Sequence, residues 1–118
     1  MLKLLKNLLK NLGLLKEKRL KMYVLVRGDL SETYRCVQGG HALASYSTIG
    51  DPKLYKSWGN QTLVYLKVSN EHFLALWRDR LRSKSIPFGA FYEPDLNDQL
   101  TAIACISTGE IFRKLPLA

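Results

Sequence analysis

Residues 22–44, MYVLVRGDLSETYRCVQGGHALA, carry an apolar run, a turn and the opening of a helix in direct succession. Met22–Arg27 (MYVLVR) is rich in β-prone side chains and ends at Gly28-Asp29, which predicts a buried first strand. Asp29 or Ser31 then offers a side-chain oxygen to free backbone N–H groups and caps the helix that follows. In that helix Val37, Gly40, His41 and Ala44 recur at i, i+3, i+4 and i+7, the spacing of an inward face. Gly39-Gly40 costs an isolated helix about 1 kcal/mol per glycine, so the pair points to close approach between helix and sheet. The helix fades over Ser45–Ile49, ahead of a Gly50-Asp51-Pro52 break.

Downstream, Gln61–Val68 (QTLVYLKV) has the β-branched and aromatic enrichment of a second strand. Ser69 or Asn70 caps a helix running to about Ser83, with Phe73, Leu74, Trp77 and Leu81 inward and Arg78, Asp79 and Arg82 outward. Ile86-Pro87 ends it. Phe88–Tyr92 reads as a third strand, Glu93–Gln99 as a polar loop, Leu100–Ser107 as a buried fourth strand, and IFRKLPLA as a closing tail after Gly109. The order β-α-β-α-β-β implies one α/β domain over residues 22–118, a four-stranded mixed sheet flanked by helices, with a right-handed crossover between the first two strands.

Residues 1–21 differ in kind. They hold six lysines and Arg19 against Glu17, a net +6, whereas residues 22–118 carry 11 basic and 9 acidic side chains, a net +2. The +8 of the whole chain is therefore no argument for nucleic acid at the domain. Leu2, Leu5, Leu8, Leu9, Leu12 and Leu15 recur at helical spacing among lysines, the pattern of a basic amphipathic helix. Through residues 2–20 such a helix could meet a membrane surface or a partner's groove, but no apolar run reaches the roughly 18–20 residues that span a bilayer. Two other readings stay open. The segment is a poorly ordered extension, since a short isolated helix is marginal in water, or the start is assigned too far upstream and Met22 is the native beginning. Lys16-Glu17 can be encoded by AAG-GAG, a ribosome-binding sequence a few codons before Met22.

The devices of several enzyme classes are missing: there is no GxSxG, no GxxxxGK[ST], no GxGxxG after the first strand and no paired-cysteine zinc motif. His41 and His72 stand far apart, so no metal is expected. Cys36 and Cys105 read as free thiols of a reducing compartment, which predicts a cytoplasmic chain. The polar groups that remain gather at strand ends and helix starts, where open α/β sheets place ligands. Tyr34, Arg35, Gln38 and His41 come from the first helix, Glu93 and Asp95 from the loop after the third strand, and Thr101 from the fourth.

These stretches resemble the type II peptidyl-tRNA hydrolase family. Its pattern is an apolar strand, an arginine-x-aspartate-leucine turn, and a helix bearing a glutamine with a histidine-alanine three residues on. Arg27, Asp29, Leu30, Gln38, His41 and Ala42 match it. LVYLKVSNEHFLALWRDRL resembles the family's second strand and helix, TAIAC its last strand and GEIFRKLPLA its closing segment, so the resemblance covers essentially all of residues 22–118. It implies hydrolysis of the ester joining a peptide to the 3′ ribose of tRNA, without a cofactor or metal, by a chain that could form a homodimer. It also implies a lysine at the first helix, an aspartate after strand three and a threonine near strand four, which assist water attack.

The sequence departs from that pattern at two of three positions. Tyr34 stands where the family has its lysine, with Arg35 beside it, and a guanidinium cannot give up a proton. Glu93-Pro94-Asp95 replaces an aspartate-alanine-glycine loop, so Glu93 would stand in for the aspartate; Thr101 matches as it is. The resemblance thus predicts Glu93, Thr101, Arg35 and His41 as the catalytic set and Gln38, Tyr34, Asp95 and Asp29 as substrate contacts. The residues allow blander roles: His41 as a core histidine, Gln38 as a solvated polar group, Asp95 bonded to its own turn, and Thr101 as an ordinary strand residue. Arg78, Arg80, Arg82 and Lys84 read as a solvated face, Trp77 as core, and Trp58 as an exposed surface for stacking a base. Loss of the lysine keeps a second class of function open, a catalytically silent tRNA- or protein-binding module, and behind it an enzyme of another ester or amide.

Overall fold

The MYVLVR run forms one of the two inner strands of a sheet covered on both faces, which is why it reads as continuously apolar. In the computed structural model, which describes residues 2–5 and 19–118, strand β1 (Lys21–Arg27) leads through helices α1 (Glu32–Ile49) and α2 (Pro52–Trp58) to β2 (Leu63–Val68). Helix α3 (Glu71–Ser83), β3 (Phe88–Glu93) and β4 (Gln99–Ser107) complete the domain, with short 3-10 turns at Pro94–Leu96 and Glu110–Phe112. The sheet order is β2-β1-β4-β3, with β1 parallel to β2 and antiparallel to β4, and β3 antiparallel to β4. This is the expected single α/β domain with a four-stranded mixed sheet and flanking helices. The amphipathic pattern beyond Leu5 falls outside the described residues; Leu2–Leu5 are helical and exposed. Among the described residues no helix is long and apolar enough to cross a membrane.

Alternation along the strands divides the core in two. Met22, Val24 and Val26 join Ala102, Ala104 and Ile106 beneath Ala42 and Tyr46 of α1 and Trp58 of α2. Tyr23 and Leu25 join Leu66, Val68, Ile103 and Cys105 on the opposite face, beneath Leu74 and Leu81 of α3 and Phe112 of the tail. The free edge of β2 is covered by the C-terminus, where Lys67 N–H donates to Pro116 O (2.8 Å) and Ala118 N–H to Tyr65 O (3.0 Å). That pairing occupies edge groups that would otherwise invite another chain.

Besides Phe73, which is 48% exposed instead of inward, three expectations change. Helix α1 is rotated by about one residue from the predicted face: Gln38, Gly39, Ala42 and Tyr46 are buried, whereas Val37, Gly40, His41 and Ala44 are exposed. With few large apolar side chains the helix has a weak pattern of its own, and backbone fit decides its orientation. A Cβ on Gly89 of β3 would lie 2.4 Å from Tyr46 N and 2.9 Å from Ala42 O, so helix and strand meet backbone to backbone there. Gly39 has the predicted close approach, against the Tyr65 ring, while Gly40 faces open space.

Secondly, α1 does not fade at Ser45 but runs to Ile49, and the Gly50-Asp51-Pro52 break opens another helix, α2. Asp51 accepts the Lys53 and Leu54 N–H groups, Pro52 occupies the first turn and Gly59 closes the helix at φ +59°, the expected order of helix punctuation. Thirdly, Trp58 anchors that helix and is 5% exposed, with Nε1 donating to Thr62 O at 2.7 Å. It is core, and no surface for stacking a base.

Candidate functional site

The polar end of the α1 face is assembled by a register shift. β3 and β4 pair Phe91 with Ala102 but Tyr92 with Leu100, which leaves Thr101 as the extra residue of a bulge. A bulge re-aims side chains locally. Here it turns Thr101 toward α1, where Oγ1 donates to Gln38 Oε1 at 2.5 Å. The Gln38 amide then donates through Nε2 to Glu93 Oε1 at 3.0 Å, and the Tyr34 hydroxyl donates to the same oxygen at 3.2 Å. Tyr34 and Gln38 are one helical turn apart, so one face of α1 offers both donors.

Exposure rises steeply along this chain of bonds. Thr101 and Gln38 are 0% exposed and Glu93 is 9% exposed, while Tyr34 is half-buried and Asp95 lies in the open. Glu93 is thus the point at which a buried polar relay reaches the surface. The Gln38 amide bond, aided by the Tyr34 hydroxyl, the Asp95 backbone N–H and the charge of His41, holds the Glu93 carboxyl below the usual glutamate range, although desolvation opposes this. Desolvation and the bond to Glu93 push the Tyr34 phenol up, so it stays a neutral donor. The backbone is pinned as well: Asp98 N–H donates to Glu93 O at 2.9 Å, across a loop in which Asn97 and Asp98 take φ of 54° and 58°.

His41 is exposed rather than inward, and its ring stacks on Phe91 with centroids 4.2 Å apart and planes 10° apart. Phe91, which the sequence did not single out, sets the position of the imidazole beside the carboxylate. Its place on β3 two residues before Glu93, on the same face by alternation, is the signal that could have found it.

The other two predicted residues belong elsewhere. Arg35 Nε donates to Leu30 O at 2.8 Å and braces the turn before α1. Asp29 takes both nitrogens of a fork from Arg27, Nε at 3.0 Å and Nη2 at 2.8 Å, and the bonded Arg27 holds its carboxyl below the ordinary range. Arg27 Nη1 also donates to Gln99 Oε1 at 2.8 Å and to Leu100 O at 3.4 Å, and Leu100 N–H donates to Glu71 Oε2 at 2.7 Å. β1 stops pairing with β4 at Val26 and Ala102, and these side chains satisfy the backbone beyond it. An arginine ending a buried strand was the visible clue to this cluster, whose other members come from three separate elements.

The arrangement can orient a polar molecule at Glu93. Both side-chain donors converge on Oε1, so Oε2 is the oxygen that takes neither of them. An ionised carboxylate with a depressed pKa is a weak base but a strong hydrogen-bond acceptor. Among the described residues no three of His, Cys, Asp and Glu converge as metal ligands would. Compared with known protein families and with curated proteins, the chain matches none.

Proposed function

We propose that this chain is a peptidyl-tRNA hydrolase-like enzyme that cleaves the ester between a peptide, or an N-blocked amino acid, and the 3′ ribose of tRNA in the cytoplasm. The observation that carries the reading is the Thr101–Gln38–Glu93 relay, which ends on a pinned carboxylate at the surface. The substrate class comes from the ordered resemblance of residues 22–118 to the type II peptidyl-tRNA hydrolase family, whose fold this domain would share.

Glu93 Oε2 orients the attacking water. Water adds to the carbonyl carbon, the bond to the ribose oxygen breaks, the tRNA leaves with a free 3′-hydroxyl, and the peptide leaves as a carboxylate and a proton. The Tyr34 hydroxyl gives its one proton to Glu93 Oε1 and would have to turn from the carboxylate to donate to the developing oxyanion. Thr101, wholly buried, acts through Gln38 instead of touching the ester. His41 and Asp95 flank the opening, and Arg35 would have to leave Leu30 O to reach the substrate.

The test incubates the full chain with N-acetylaminoacyl-tRNA and follows deacylation. Release above the buffer blank that is abolished in Glu93→Gln supports the enzyme; no release by the folded protein overturns it. One observation favours a second reading: the lowered pKa of Glu93 makes it a poor base. A silent module that holds the tRNA end would bind the same substrate without releasing the amino acid.

A further inference from the structure

A concentration of positive charge in the folded domain lies away from Glu93. Helix α3 and the C-terminal turn enclose a groove of about 710 Å³ whose walls include Arg80, Lys84, Arg113 and Lys114, with Glu110 as its one acidic residue among the described residues. The basic residues are held from both sides. Arg80 lies over the Trp77 ring, 4.9 Å from its centroid. Arg113 and Lys114 form the tip of a turn closed by Leu115 N–H donating to Phe112 O at 2.9 Å, and Phe112 is buried in the core. Lys84 caps α3, its N–H bonded to Arg80 O at 3.1 Å. Two cations from a helix and two from an anchored turn thus line one channel from a fixed backbone.

We propose that this groove binds the phosphodiester backbone of single-stranded RNA. Four cations against one carboxylate complement a polyanion. The Trp77–Arg80 stack adds a flat guanidinium and ring surface of the kind on which unpaired bases rest. A lipid surface is disfavoured, because the apolar residues lining the groove are only partly exposed. The groove also lies on the α3 face near Ser107, whereas Thr101 and Glu93 serve the α1 face at the other end of the same hairpin. Six residues of strand separate Thr101 from Ser107, about 20 Å. The groove is therefore a second RNA-binding surface, independent of the ester chemistry.

The experiment titrates a fluorescein-labelled 12-nucleotide RNA of mixed sequence with the full chain at 50, 100 and 200 mM salt and reads anisotropy. The basic N-terminal segment is common to every variant and drops out of the comparison. Arg113→Ala/Lys114→Ala, at two exposed positions, should weaken binding on the order of tenfold at 100 mM salt. It should also reduce the slope of log affinity against log salt by about 1.4, since each phosphate that is no longer neutralised accounts for about 0.7. Lys53→Ala/Lys56→Ala, which removes two exposed cations of α2 outside the groove, should bind RNA as the wild type does, and the labelled RNA carries no ester, which keeps this test apart from the hydrolase reading. An unchanged affinity and slope in the double variant overturns the proposal. So does a poly-glutamate peptide that competes as well as unlabelled RNA, which would assign the groove to acidic protein surfaces.

Discussion

Thr101 Oγ1 donates to Gln38 Oε1, and this bond sets which end of the Gln38 amide faces Glu93. An amide has an accepting and a donating end. With its oxygen engaged by Thr101, only the NH₂ group is presented to the carboxylate.

Replacing Thr101 by Val keeps the shape and removes the donor. A buried acceptor left unmatched costs about 1–3 kcal/mol, so the urea midpoint of Thr101→Val should fall accordingly, while Thr101→Ser stays close to wild type. The Glu93 carboxyl, less firmly bonded by a freed amide, should titrate higher, which carbon-detected NMR reads directly. A Thr101→Val protein with wild-type stability and an unmoved Glu93 would break the relay.

The lowered pKa of Glu93 fixes the sign of its pH dependence. At neutral pH the group is ionised in both folded and unfolded chains, and its bonds to Gln38 and Tyr34 contribute fully to stability. That contribution declines as pH falls through the ordinary glutamate range, about 4.3, and is lost below the folded value, where the native carboxyl also protonates. Asp29, lowered by Arg27, follows the same course. Denaturation curves between pH 7 and 3 should therefore show less acid sensitivity in Glu93→Gln than in the wild type.

Gly89→Ala tests the backbone approach that orients α1. The added methyl would sit 2.4 Å from Tyr46 N, against helix backbone that cannot step aside. Overpacking of this kind costs typically 1–3 kcal/mol. Because α1 carries Tyr34 and Gln38, the variant should lose deacylation activity along with thermal stability, whereas Gly40→Ala, facing open space, should lose neither.

The two cysteines should differ sharply in reactivity. Cys36 is exposed on α1, whereas burial pushes the Cys105 thiol up to about 12. Iodoacetamide at pH 8 should add one label to the native protein, on Cys36, and two in denaturant, as counted by mass spectrometry. Rapid native labelling of Cys105 would contradict the packing of β4.

How far the site was legible depends on how local each cause is. Glu93, Gln38, Thr101 and Tyr34 were found from their places at strand ends and on a helix, and they do meet. Sequence pattern puts His41 and Trp58 on the wrong side of the surface, because α1 turns by about one residue and Gly50-Asp51-Pro52 has the signature of a break where α2 begins. Arg80, Lys84, Arg113 and Lys114 stand up to 34 positions apart, and no spacing rule joins a helix end to a tail turn.

The sequence carries the strands and most of the helix caps in its local pattern, with α2 the element that escapes it, since alternation and free N–H groups at helix starts act within a few residues of chain. It also assigned most of the charge to residues 1–21. Which face of α1 is buried, that Thr101 is the bulged residue, and that Arg35 and Asp29 serve other partners emerge in three dimensions alone. Those outcomes depend on packing between segments tens of residues apart, chiefly Gly89 against the backbone of α1 and the one-residue slip between β3 and β4.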